Sequence, residues 1–202
     1  MPSLFDLKPQ FQRLLRPIVL CLAKLGATAN QVTIAAVVLA FIGGGLIVWQ
    51  PQSSWPLLVL PLILLVRMSL NAIDGMLARE HGQQSRLGAI LNEMGDVIAD
   101  AALYLPLALL PNISAVLVVL LVVMAIISEM MGVVALQIGA KRQYQGPMGK
   151  SDRAFWIGAL GLALGCGLHL GAWVNWLLMV MLLLLVLTII NRAKGALNNT
   201  HA

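Results

Sequence analysis

Apolar runs of bilayer-crossing length recur along this chain, and no other feature limits its fold so strongly. Crossing about 30 Å of hydrocarbon takes roughly 18 or more helical residues. The runs are Gln31–Trp49, Pro56–Arg79, Leu87–Leu110, Ile113–Ile138, Ala154–Leu168 and Ala172–Ile190. In lipid each backbone N–H and C=O must be satisfied within its own element, so such runs read as helices. The chain is 60% hydrophobic and only 10% charged, too little polar material to cover a soluble domain of 202 residues. The fold class that follows is all-α, a polytopic membrane protein with six transmembrane helices. Its expected divisions are an interfacial segment, 1–30, a six-helix domain, 31–192, and a cytoplasmic tail, 193–202.

Polar and breaker residues separate the runs: QPQSSW (50–55), EHGQQSR (80–86), PN (111–112), GAKRQYQGPMGKSDR (139–153) and HLG (169–171). Their charges set the orientation. Lys8, Arg13, Arg16 and Lys24 precede the first run, and Arg79 and Arg86 bracket the second connection. Lys141, Arg142, Lys150 and Arg153 mark the fourth, and Arg192 and Lys194 follow the last run. Under the positive-inside rule these segments and both termini face the cytoplasm. Trp49, Trp55, Trp173 and Trp176 then belong to the outer interface. The segment LFDLKPQFQRLLRPIVLCLAKLG is too polar to span and suits an amphipathic helix lying in the interface. No early cleavage site follows it, so no secretory leader is expected. Cys21 and Cys166 are expected near opposite faces, too far apart for a disulfide. In the fifth run, GALGLALGCGLHL, small residues favour close helix–helix approach.

One hairpin, Asn71 to Asp100, carries charge where a membrane segment should have none. With its turn near Gly82–Gln83, Asp74 lies about 8 Å inside Arg79 and Asp96 about 15 Å inside Arg86, at 1.5 Å per residue. Asn71, Asp74 and Ala78 share one face of the first helix; Gly88, Asn92, Asp96 and Asp100 share one face of the second. Gly75, Ala78 and Gly88 leave space beside them. Ionisable groups at such depth usually face a watery cavity or a partner. Clustered hard oxygens suit Mg²⁺, Mn²⁺ or Ca²⁺. A solvated hairpin tip would account for Arg79, Glu80, His81 and Arg86, but Asp96 and Asp100 lie too deep for it. Arg67, one turn beyond Asn71, is either an ion-pair partner for Asp100 or Glu129 or a cation standing in for part of a metal site.

These residues resemble the signature of the CDP-alcohol phosphotransferase (CDP-alcohol phosphatidyltransferase) family, D-x-x-D-G-x-x-A-R-x8-G-x3-D-x3-D. Asp74, Gly75, Ala78, Arg79, Gly88 and Asp96 fill six of its eight fixed positions at full spacing. Asn71 and Asn92 stand where the other two aspartates belong. TANQVT (28–33) is similar to the family's P-N-x-x-T segment, with Ala29 in the place of proline. The resemblance implies transfer of a phosphatidyl-type group from a CDP-alcohol, with CDP-diacylglycerol as expected donor, to an acceptor alcohol, releasing CMP. It implies Asp96 as general base and metal ligand, Asp74, Asn71 and Asn92 as further ligands of Mg²⁺ or Mn²⁺, and Gly75, Ala78, Arg79 and Gly88 around the CDP moiety. Lys150 and Arg153 become candidates for the phosphate of a phosphorylated acceptor, the alternative being plain positive-inside charge. The family also implies a homodimer among membrane lipids, with no nucleic-acid partner, in a bacterial inner membrane with its active site cytoplasmic. Two asparagines lower the formal ligand charge from −4 to −2, so one ion, weaker binding or lost chemistry are all consistent with them. A catalytically impaired member that binds CDP-lipid or nucleotide without turnover is therefore the alternative function.

Overall fold

The breakers between the apolar runs become the turns of the fold. The computed structural model describes residues 8–169 and 171–198. Seven α-helices occur among them, with no strand: α1 Lys8–Lys24, α2 Ala29–Trp49, α3 Trp55–Glu80, α4 Arg86–Tyr104, α5 Ala115–Gln137, α6 Lys150–Gly165 and α7 Ala172–Asn198. α2, α3, α5 and α7 are long and apolar enough to cross a membrane. Their outward faces are apolar as well, with Val116 68% and Leu183 65% exposed. A surface of that kind is stable only in contact with lipid or a partner.

Each boundary has a local cause. Thr28 caps α2: its hydroxyl accepts from the Gln31 N–H (3.2 Å), and the Gln31 side chain accepts from the Thr28 N–H (2.9 Å). This reciprocal arrangement satisfies two otherwise unpaired donors. Gly82 turns the chain between α3 and α4 at φ +66°, a conformation glycine adopts freely. The third run is shorter as an α-helix than the sequence suggested. α4 ends at Tyr104, and Leu105–Leu109 continues as a 3-10 segment containing Pro106, which has no N–H to donate. α6 begins earlier than its apolar run, at Lys150, because Asp152 accepts from the Gly149 N–H (3.0 Å) and closes the helix start. α7 runs past Ile190 to Asn198, so the first part of the expected tail is helical; residues 199–202 lie outside the described residues.

α2 packs on α3 and α4, α3 also on α6 and α1, and α5 on α7. Two crossings depend on missing side chains. A Cβ on Gly44 of α2 would lie 1.9 Å from the Ala102 carbonyl oxygen of α4, and one on Gly165 of α6 would lie 2.7 Å from Leu58 of α3. The second is the close approach that the glycine-rich run predicts. α1 rests on α3 through Leu15 and Val19, which pack with Ile73, Met76 and Leu77. The main core joins α2 through α7, with Leu60, Leu103, Tyr104, Ile157, Met181 and Leu185 fully buried.

Candidate active site

α3 and α4 run antiparallel from the Gly82 turn, and their polar stripes face one cavity of about 1270 Å³. Asn71, Asp74, Gly75, Ala78 and Arg79 line it from α3, and Gly88, Asn92 and Asp96 from α4. Lys150 lines it from the start of α6. Arg153 does not; it is fully buried behind the wall.

The segment at the start of α2 supports this arrangement. The Thr33 hydroxyl donates to Asp74 Oδ2 (2.7 Å), which fixes the rotamer of a carboxylate only 4% exposed. Asn30 Oδ1 lies where a Cβ on Gly88 would approach to 2.8 Å. Gln83 in the turn accepts from the Ala29 N–H (2.7 Å) and donates to the Ala27 carbonyl (3.3 Å), tying the turn to α2. The Arg79 guanidinium folds back over Gly75, both its terminal nitrogens 3.2 Å from where a Cβ would stand. Glycine at 75 therefore keeps a cation close to the Asp74 side of the cavity.

Asp96 is met from two sides. Lys150 forms an ion pair with its Oδ1, and the Asn71 amide donates to the same oxygen (3.1 Å). One turn further along α4, Asp100 is enclosed. Arg67 pairs with Oδ1 (2.6 Å) and Arg153 with Oδ2 (2.9 Å). Arg67 also donates to the Asp96 carbonyl (3.0 Å), so its guanidinium is a structural clasp between α3 and α4. The network continues through Arg153 to Glu129 of α5 (3.1 Å), and from Glu129 to Arg192 of α7 (3.4 Å) and Arg142 (3.7 Å). Arg142 also pairs with Glu93. Glu93 thus points to a cation on the neighbouring loop rather than supplying charge beside Asn92.

The donor set tests what cation this site can take. Asp74, Asp96, Asn71 and Asn92 offer only oxygen on their accepting side, as a hard divalent ion requires. Yet no group of three or more carboxylate, imidazole or thiolate side chains converges among the described residues. An ammonium already shares Asp96, and Asn71 presents its nitrogen to it. Two carboxylates with two neutral amides fit one divalent ion between Asp74 and Asp96 better than two.

Sequence reasoning placed Asn71, Asp74, Asn92, Asp96, Gly75, Ala78, Arg79 and Gly88 in one hairpin, and the fold brings all of them to one cavity. It did not anticipate that Thr33 would bond Asp74, that Lys150 would reach Asp96, or that Arg142 and Arg192 would meet at Glu129. The last pair carried a signal of its own. An acid within an apolar helix such as α5 demands a cation from another segment.

The fold is a bundle of apolar helices around a cavity whose wall carries the side-chain oxygens of Asn71, Asp74, Asn92 and Asp96. The family model for CDP-alcohol phosphatidyltransferase matches residues 26–190, and the chain belongs to that family. It is 47% identical over 195 residues to "Inner membrane protein YnbA" of Escherichia coli K12, covering 96% of each chain. It is 32% identical over 106 residues to an archaetidylinositol phosphate synthase of Pyrococcus horikoshii, covering 52% of this chain and 54% of that one. Its fold matches crystal structures of Mycobacterium tuberculosis phosphatidylinositol phosphate synthase. With CDP-DAG bound, that enzyme gives a TM-score of 0.75 at 18% identity, covering 91% of this chain and 94% of that one. In complex with manganese and citrate it gives 0.74 at 18%, covering 90% and 88%. The apolar helices and the inner-membrane relative together make this an integral membrane protein.

Proposed function

We propose that the protein transfers a phosphatidyl-type group from a CDP-alcohol, CDP-diacylglycerol by preference, to the hydroxyl of an acceptor alcohol with release of CMP. The observation that carries this reading is the meeting of Asp74 and Asp96, from two facing helices, at one cavity lined by Gly75, Ala78 and Gly88. Small residues let a nucleotide lie close to the helix backbones, and Arg79 is placed to meet its phosphates. The CDP-DAG bound in the structurally similar synthase supports the donor class.

Asp96 takes the proton from the acceptor hydroxyl as general base. The freed oxygen bonds to the β-phosphorus, and the bond from that phosphorus to the oxygen of CMP breaks, its electron pair leaving with CMP. Lys150 and Arg79 face the charge that gathers on the phosphoryl oxygens, the usual use of cations in such transfers. Asp74, Asp96, Asn71 and Asn92 would hold a divalent ion, Mg²⁺ or Mn²⁺, which when bound neutralises diphosphate charge. In the membrane, α4 with its 3-10 extension and α6 complete six spans. α1 lies along the interface, and the cavity opens to the cytoplasm with both termini, in a bacterial inner membrane. The protein works as a homodimer.

Purified protein should release CMP from CDP-diacylglycerol when a broad panel of alcohols is supplied with Mg²⁺ or Mn²⁺. Release that persists in Asp96→Asn would mean that Asp96 is not the general base. A second reading has its own support: Lys150 and Asn71 already occupy Asp96 Oδ1, and two ligand positions are neutral. Under it the protein binds the CDP-lipid without turnover. Saturable binding of cytidine nucleotide with no CMP release across the panel selects that reading.

A further inference from the structure

Glu129 stands at the cavity wall with Arg142 and Arg192 beside it. Three guanidiniums from separate segments converge on this one carboxylate: Arg153 of α6, Arg192 of α7 and Arg142 of the loop before α6. Several cations drawn around a single anion form an anion-binding site, and in this protein the chain's own side chain fills it. Each of the three also keeps a buried Nε–H without a hydrogen-bond partner. Donors therefore outnumber the acceptors that Glu129 supplies.

Charge decides what else can enter. Across the connected network, Arg67, Arg142, Arg153 and Arg192 face Asp100, Glu129 and Glu93, an excess of one positive charge. A phosphomonoester brings about −1.5 to −2 near neutral pH. To reach the guanidiniums it would have to approach Glu129, which is tethered to α5 and cannot diffuse away. Without Glu129 the excess would be two, the charge of one phosphomonoester.

We propose that Glu129 is a specificity residue: it occupies an arginine-lined anion site and so restricts the cavity to acceptors whose head groups are uncharged alcohols, excluding phosphorylated ones. The acceptor half of this statement rests on the transfer reading; the masked anion site does not. A neutral hydroxyl brings no charge to oppose Glu129.

The test is binding of inorganic phosphate to the full chain in detergent, read as thermal protection against chloride at equal ionic strength. The wild type should gain no protection. Glu129→Ala, which removes the anion and opens space for another, should bind phosphate at least about tenfold tighter than wild type, the worth of one charge-assisted hydrogen bond. Phosphate protection equal in the two proteins, or absent from both, overturns the proposal. Should Glu129→Ala fail to accumulate folded, its yield with phosphate present throughout solubilisation becomes the readout. Restoration by phosphate but not chloride supports the masked site, and no restoration overturns it. In a separate arm, CMP release by the wild type is compared with a neutral polyol and with its phosphomonoester. A preference for the phosphomonoester overturns the specificity claim. An absence of CMP release with either counts against the transfer reading and leaves the phosphate result standing.

Discussion

Asp96 and Asp100 stand one turn apart on the same face of α4, and their surroundings differ completely. Asp100 is enclosed by two arginines, each nearly without exposure, and its charge is cancelled inside the bundle. Asp96 lines the cavity, its carboxylate touched by a half-buried lysine and a neutral amide. Nearly the same sequence position therefore yields a buried brace in one case and a carboxylate on the cavity wall in the other. Asp100 meets only buried arginines, whereas the cation paired with Asp96 lines the cavity with it.

Removing a brace should do the most damage. Arg153→Ala leaves Asp100 and Glu129 short of a partner, and breaking a buried pair costs about 3–5 kcal/mol. A thermal melt in detergent should show that loss; an unchanged midpoint would erase the distinction between the two aspartates. Asp96→Asn should instead spare the fold and lower CMP release by about 10²–10⁴-fold, read from initial rates beside a melting curve. Restoring the missing carboxylates comes next. Asn71→Asp with Asn92→Asp should tighten Mn²⁺ binding by about tenfold or more, equivalent to about 1.4 kcal/mol. A calorimetric titration with no gain would mean that Lys150, rather than ligand charge, governs the site. The smallest effect belongs to the exposed pair Arg16–Glu80 (2.9 Å). Arg16→Ala should change stability by about 0–1 kcal/mol, since solvent screens such pairs. A larger loss would show that α1 is held to α3 by charge rather than by Leu15 and Val19.

Much of this frame was legible in the sequence alone. The apolar runs located the helices because a spanning segment needs a length and composition that little else in a chain imitates. The hairpin register followed from the turn residues, and with it the shared face of Asn92, Asp96 and Asp100. Boundaries were less legible. Pro106 shortened α4 by lacking a donor and Asp152 lengthened α6 by supplying an acceptor, effects that hydropathy does not register. Partners across helices were the least legible. Arg67 had two candidate carboxylates, Asp100 and Glu129, and the fold chose Asp100. Lys150 and Arg153 were read together from one loop, yet only three positions separate a residue on the cavity from one fully buried behind it.

By itself the sequence determined the placement of the apolar helices, the antiparallel hairpin and the oxygen-rich stripe that carries Asp74 and Asp96. Those properties depend on periodicity and spacing along one chain. Only the tertiary structure decided which charges cancel, because the ion pairs join different segments of the chain, as Lys150 does with Asp96 and Arg192 with Glu129. The energy of a buried charge depends on what stands within a few ångströms of it, and sequence distance carries no such information.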